Sequence, residues 1–181
     1  MKDNNLKIQG EKVFLRYVTL NDFEEFLALN RSSLEFYKGL VNPPLDFESF
    51  KAYVERNRDE ANECFVICQN VDNTIVGAIN LSQIFRKAFQ SCYLGYSLGI
   101  DWIGKGFMSE AVELVVQHAF ENLKLHRVEA NVQPHNLLSI RVLQRCGFSK
   151  EGFSPKYLKI DDVWCDHERW AIILEDWKER K

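Results

Sequence analysis

A chain of 181 residues, 46% of them apolar, is long enough for one well-filled core and short for two. Its formal charge of −3 and pI near 5.8 exclude a general nucleic-acid binder of the basic kind, and its lysines and arginines are not gathered in one block. Five cysteines (Cys64, Cys68, Cys92, Cys146, Cys165) form no Cys-x-x-Cys pair and no regular framework, which reads as reduced thiols in a cytoplasmic protein. The opening Met1-Lys-Asp-Asn-Asn has no apolar signal region, and no run of about 18 apolar residues occurs, so a soluble chain with no membrane contact is expected.

In chain order, residues 13–18 read as a first strand. Thr19-Leu-Asn-Asp22 has the form of a capping box with Asp where Glu is usual, and the helix it opens turns Phe23, Phe26, Leu27 and Leu29 inward. Asn42-Pro-Pro-Leu-Asp46 is a break. Prolines exclude helix there, and Asp46 is a good cap for a second helix striped with Phe47, Phe50, Tyr53 and Val54. Between the two, residues 31–41 are aromatic and without period, a loop that either carries binding residues or packs on the scaffold.

Residues 64–68, 75–81 and 93–98 read as strands joined by polar turns, hence an antiparallel meander. Cys64 and Cys68, an even number apart, face one way and suit core packing better than metal binding. A glycine loop follows, and from about Lys105 the positions Met108, Ala111, Val112, Val115, Val116, Ala119 and Leu123 recur at helical spacing. In 126–132, Val128, Ala130 and Val132 alternate with Arg127, Glu129 and Asn131. Strand, helix and strand form a βαβ unit, so 93–98 and 126–132 should run parallel. Asn136 is a cap for a helix burying Leu137, Ile140 and Leu143 and ending at Gly147. Phe148 opens the closing strands, the last of them running over 164–174. The expectation is one α/β domain (α+β in its mixed sheet) over 1–181, with its core at about 11–177. The sheet is mostly antiparallel with one parallel junction, and helices cover its faces.

Strand, glycine loop and helix together make a device for holding phosphate, because the first helical turn has unpaired N–H groups and the positive end of the dipole. Gly99 and Gly104-Lys105 approach a P-loop, but Gly106 stands where Ser or Thr should bind magnesium. The dinucleotide pattern fits Gly104 and Gly106, yet Ser109 replaces the third glycine. Asp101-Trp-Ile-Gly104-Lys-Gly106 also matches the Gln/Arg-x-x-Gly-x-Gly acetyl-CoA loop at both glycines, with Asp101 in the first position. A tight turn before a core helix accounts for the glycines equally.

The second half of the chain discriminates. Leu94-Gly-Tyr-Ser-Leu98, Gly104-Lys-Gly-Phe-Met-Ser-Glu-Ala111, Leu125-His-Arg127, Pro134-His-Asn-Leu-Leu-Ser139, Cys146-Gly-Phe-Ser-Lys-Glu-Gly152 and Trp164-Cys-Asp-His167 follow in order, after Leu15-Arg16 near the start. In these the chain resembles the GCN5-related N-acetyltransferases, GNAT, of the ribosomal-protein (RimJ/RimL) type. The resemblance implies that the two parallel strands splay apart, with acetyl-CoA as co-substrate in the cleft. It implies that backbone groups of Tyr96, Ser97 and Leu98 bind pantetheine, and that N–H groups of Ile103, Gly104, Lys105, Gly106, Phe107, Met108 and Ser109 cradle the pyrophosphate. Asn136 then doubles as cap and ligand, while Arg141 and Arg145 either reach the nucleotide or are surface charge.

The implied chemistry is direct attack of a neutral amine on the thioester, with N–H groups stabilising the oxyanion. An α-amine with a pKa of about 7.7–8.0 is neutral far more often at cytosolic pH than a lysine amine at about 10.4, so it needs only a weak base. Ser139 is placed to give the departing thiolate a hydrogen bond, with Tyr157 as runner-up. The acid that relatives carry before Tyr157 is Lys156 here, which leaves Glu129 and Asp166 as substitutes. The histidines have no ligand spacing, so no metal is expected, and His167 reads as part of a structural or substrate-side cluster. The acceptor is expected to be the N-terminal Ala or Ser of a ribosomal protein, with no direct nucleic-acid contact. A small amine or antibiotic, or a nonenzymatic role in binding CoA, are the alternatives.

Overall fold

Alternation along the strands assigns a core to each face of the sheet. In the computed structural model, which describes residues 6–180, Val13, Leu15 and Tyr17 point to one side, and Phe14 and Val18 to the other. Met1–Asn5, read above as free of a signal region, lie outside the described residues.

The elements are β1 (Lys7–Gln9), β2 (Val13–Tyr17), α1 (Phe23–Ser32), α2 (Leu34–Tyr37), α3 (Phe47–Glu55), β3 (Glu63–Gln69), β4 (Ile75–Phe85), β5 (Ser91–Leu98), α4 (Phe107–Glu121), β6 (Arg127–Val132), α5 (Leu137–Arg145), β7 (Ser149–Ile160), β8 (Val163–Ile173) and α6 (Leu174–Glu179). They build an eight-stranded sheet in the order β1-β2-β3-β4-β5-β6-β8-β7, with β5–β6 its single parallel pair. On one face, Ala111, Val112, Val115 and Ala119 of α4 pack on Leu15, Phe65, Ile79 and Val128. On the other, Phe26 of α1 and Phe50 of α3 pack on Phe14, Val66 and Ile75. Cys64 and Cys68 share that second face and are fully buried. No group of three His, Cys, Asp or Glu side chains among the described residues could hold a metal. No described helix is long and apolar enough to cross a membrane.

The caps form as the sequence predicts. Asp46 Oδ1 accepts the Ser49 N–H at 2.8 Å, and Gly147 ends α5 with φ at 85°. Three local expectations need correction. The long helix starts at Phe107 rather than Lys105, because Gly104 and Gly106 hold φ of 81° and 83°, which no right-handed helix accepts. In α5 only Leu143 is buried and Leu137 is 57% exposed; the first turn borders a cavity through Leu138 and Ser139, and Leu137 faces away from it. Phe47 is also 45% exposed and meets Phe23 edge-on, leaving Phe50 and Tyr53 as the buried stripe of α3. The short strand β1 and the helix α6, whose Trp177 packs on Phe120, carried no readable period.

One feature of the sheet positions the site. β5 and β6 are paired only from Ser91↔Arg127 to Tyr93↔Glu129. Beyond that, β5 continues to Leu98 against β4, and β6 continues to Val132 against β8. The strands part at Tyr93, and backbone groups of β5 that face β6 past this point have no ladder partner.

Candidate active site

A cavity of about 340 Å³ opens where the strands part. Tyr96, Ser97 and Leu98 of β5 line it, with Ile103, Gly104, Gly106, Phe107, Met108 and Ser109 of the loop and α4, and Asn136 and Ser139 at α5. The wall therefore holds every residue expected to touch the cofactor except Lys105. That side chain is exposed and lies over the Trp102 ring with Nζ 4.3 Å from the centroid.

The residues present fit an anionic, phosphate-bearing ligand. No side chain caps α4 at Gly106, so its first-turn amides keep their free N–H groups and the dipole's positive end. A Cβ on Gly104 would meet no atom within 4 Å, so the space there is open to a ligand that approaches the backbone. Arg141 and Arg145 are on the wall, and Arg145 donates to Ser109 Oγ at 3.4 Å. Lys12 is a cation that sequence reasoning missed. Its Nζ donates to the Lys105 carbonyl at 3.5 Å, reaching the loop from 93 residues away, a separation that no local signal spans.

At the inner end, Asn136 Oδ1 accepts the Ser139 N–H at 3.1 Å, as expected of a cap. The Ser139 hydroxyl lies 2.6 Å from the Tyr96 hydroxyl. Burial raises the Tyr96 pKa well above the ordinary phenol value, so this group stays protonated and available as a donor. The sequence reading used only the backbone of Tyr96. Its side-chain role was nonetheless signalled, since Leu94, Tyr96 and Leu98 alternate onto the face that α5 covers.

The other proton-transfer candidates fall elsewhere. Tyr157 is on neither cavity wall and sits with its ring 6.2 Å from His167. Glu129 is ion-paired with Arg127 at 3.0 Å, and Asp166 Oδ1 accepts the Lys156 N–H at 2.7 Å; neither lines this cavity or the smaller one beside it. Burial pushes the Cys68 thiol up to about 11 and those of Cys92 and Cys146 to about 12, so all three stay protonated and none serves as a nucleophile.

A second cavity, of about 190 Å³, shares Tyr96, Asn136 and Ser139 with the first. Its wall takes residues from both faces of the sheet: Leu94, Ala130 and Val132 from one, Gly95, Asn131 and His167 from the other. It is therefore a passage through the gap between β5 and β6. The irregular stretch 31–41 walls both voids through Leu40 and Val41. The Gln133 amide donates to the Gly39 carbonyl at 2.6 Å, and Gly39 N–H donates to Asp161 Oδ2 at 3.1 Å, which holds this stretch in place.

Parted parallel strands, a cleft between them and a glycine-started, uncapped helix suit an enzyme that works on a CoA thioester. The model of the acetyltransferase (GNAT) domain matches residues 12–149, and the chain belongs to that family. It is an acetyl-transferring enzyme with acetyl-CoA as co-substrate. The chain is 38% identical over 177 residues to the "Probable N-acetyltransferase YjcK" of Bacillus subtilis, covering 93% of this chain and 98% of that one. It is 42% identical over 106 residues to the [ribosomal protein uS5]-alanine N-acetyltransferase of Escherichia coli, a match spanning 59% of this chain and 55% of that relative. Its structure resembles Mycobacterium smegmatis RimJ in complex with CoA-disulfide, with a TM-score of 0.84 at 27% identity over 91% of this chain and 83% of that one.

Proposed function

We propose that the chain acetylates the N-terminal α-amine of a protein, Ala or Ser first, and that a ribosomal protein of the cytoplasm is its natural acceptor. One observation carries this reading: among the described residues, no carboxylate lines either cavity. A polyamine is a string of cations, and a site for it needs acidic walls to repay the loss of hydration. A peptide N-terminus brings one charge and a run of amides instead. Gly95 and Ala130 leave room for a small first side chain, and Asn131 offers an amide partner. The uS5-alanine specificity named for the Escherichia coli relative supports the same acceptor class. The five cysteines form no disulfide with one another, which suits a reducing compartment.

Acetyl-CoA supplies the activated acyl group and a thiol leaving group. Backbone groups of Tyr96, Ser97 and Leu98 hold the thioester arm, and the free amides from Gly104 to Ser109, with Lys12, Arg141 and Arg145 nearby, hold the phosphates. β5 amides that lack a ladder partner steady the charge that develops on the carbonyl oxygen. Ser139, backed by the protonated Tyr96 hydroxyl, delivers a proton to the departing sulfur. Asn136 fixes the turn that presents Ser139.

The test is a steady-state comparison of peptides beginning Ala or Ser with spermidine. The expected kcat/KM is at least about a hundredfold higher for a peptide, an arbitrary but clear margin of ~2.7 kcal/mol. A preference for spermidine overturns the reading.

A further inference from the structure

The mechanism so far lacks a group to accept the acceptor's proton, and its sequence-based candidates are both engaged outside the cavities. His167 stands where such a group is needed. It is 3% exposed, on β8, and lines the smaller cavity together with Tyr96 and Ser139. Its Nδ1 lies 2.9 Å from the Cys165 carbonyl oxygen. A carbonyl only accepts, so Nδ1 carries the hydrogen and Nε2 of the neutral ring presents a lone pair. No described residue bonds Nε2, yet this nitrogen is not sealed off. Among the described residues the one buried side-chain nitrogen or oxygen that is both unpartnered and closed to water is the Tyr37 hydroxyl. Nε2 thus keeps a reachable edge in a buried residue, and the void that His167 borders is the passage.

We propose that His167 Nε2 is the general base that deprotonates the incoming ammonium, and that the acceptor enters through the smaller cavity. This rests on the N-terminal acceptor reading above. The protons balance as follows. The acceptor arrives as R–NH₃⁺ and gives one proton to Nε2. The neutral nitrogen forms its bond to the acetyl carbon as the C–S bond breaks. The sulfur takes the Ser139 hydroxyl proton as it leaves, and the nitrogen's second proton, lost as the amide forms, restores the Ser139–Tyr96 hydroxyl pair. His167 returns its own proton to water through the passage. Tyr157 on β7 has its ring 6.2 Å from the imidazole, and Tyr96 on β5 lines the same cavity; on β8 itself Cys165 and Arg169 alternate onto the face of His167. On its own strand the flanking Asp166 and Glu168 alternate to the opposite face, where Asp166 meets the Lys156 amide and Glu168 meets Lys150 and the Trp170 indole N–H at 3.0 Å.

The experiment uses H167N, whose amide overlays Nδ1 and keeps the bond to Cys165, and H167Q, whose amide overlays Nε2 without its basicity. Both are assayed with an Ala-starting peptide from pH 6.5 to 9.5, and thermal shift with acetyl-CoA checks folding and cofactor binding. At pH 7 each variant is expected to lose about a hundredfold in kcat/KM for the peptide, at the low end of general-base effects, with an unchanged acetyl-CoA shift. The deficit should shrink towards pH 9.5, because an α-amine of pKa about 7.7–8.0 then deprotonates unaided. Wild-type rates in H167N would reduce His167 to a strut, and a deficit independent of pH would equally overturn the proposal. A third reading needs no acceptor. Nitrogen-15 spectra of the histidines at pH 8 should show a bare Nε2 and a protonated Nδ1 for the resonances that H167N removes, and the reverse tautomer overturns the assignment. A wild-type enzyme that refuses peptides and takes spermidine sinks the N-terminal reading alone, and the same variants then decide His167 on spermidine.

Discussion

The two cavities meet at Tyr96, Asn136 and Ser139, but they are built from different material. The larger draws about half of its wall from one short span, β5 through the glycine loop into α4, where glycines and a helix start expose the backbone, and the rest from the stretch around α2 and from α5. The smaller is assembled from side chains of β5, β6, β8 and the stretch after α2, drawn together from across the chain. Backbone recognition fits a ligand that is the same for every member of a family, because amides and a helix end do not vary with sequence. Side-chain walls suit the acceptor, which differs from one enzyme to the next.

Substitutions that act on one cavity and spare the other put this division to the test. The largest effect is expected for Gly104→Val, which places a β-branched residue at φ of 81° and fills open space over the loop. Isothermal titration should show acetyl-CoA binding weakened about a hundredfold, ~2.7 kcal/mol, and a variant that binds normally would dissolve the claim that backbone makes this site. Next is Ser139→Ala at the junction, expected to lower turnover about tenfold to a hundredfold while the acetyl-CoA dissociation constant stays within about twofold. Unchanged turnover would remove Ser139 from the mechanism. Gly95→Val comes third. A Cβ there meets nothing within 4 Å, so the side chain enters the passage without strain and should cut kcat/KM for a peptide about tenfold, leaving acetyl-CoA binding alone.

The smallest effect belongs to a residue in neither wall. Asp22 is 8% exposed; burial raises its pKa, but the Arg16 guanidinium at 2.7 Å and the Thr19 amide outweigh this and hold it below the usual carboxylate range. A depressed folded pKa gives stability that is present above the unfolded value and lost as pH falls through the folded one. Asp22→Asn should cost about 1–2 kcal/mol by urea unfolding at pH 7, and the gap to wild type should narrow in acid. Both cavities should keep their ligand constants.

The same division explains what could be read from residues alone. Gly104, Gly106 and Asn136 announce themselves locally, through a loop that only glycine tolerates and a cap three residues before the amide it serves. The parallel junction follows from one strand–helix–strand unit. The base does not announce itself, because Glu129 and Asp166 resemble His167 in sequence and differ only in what they touch. Glu129 is taken by Arg127, Asp166 by Lys156, and His167 alone opens on the passage. Lys12 needed a contact over 93 residues, beyond any period in the chain, whereas alternation turns the Tyr96 side chain inward but does not name its partner 43 residues away. Leu137 looked buried because its spacing matched Ile140 and Leu143, and spacing cannot tell a covered turn from an open one.

The tether on Gly39 sets a schedule for the newborn protein. That glycine, placed early in the chain, is held by Gln133 and by Asp161 in the turn between the last two strands. A ribosome that has delivered the glycine loop has made only part of the larger cavity's wall, which still needs Asn136, Ser139, Arg141 and Arg145, and the smaller cavity still lacks its strap and its histidine. Both cavities are closed only by the last third of the chain, so donor and acceptor sites come into being together, late in synthesis.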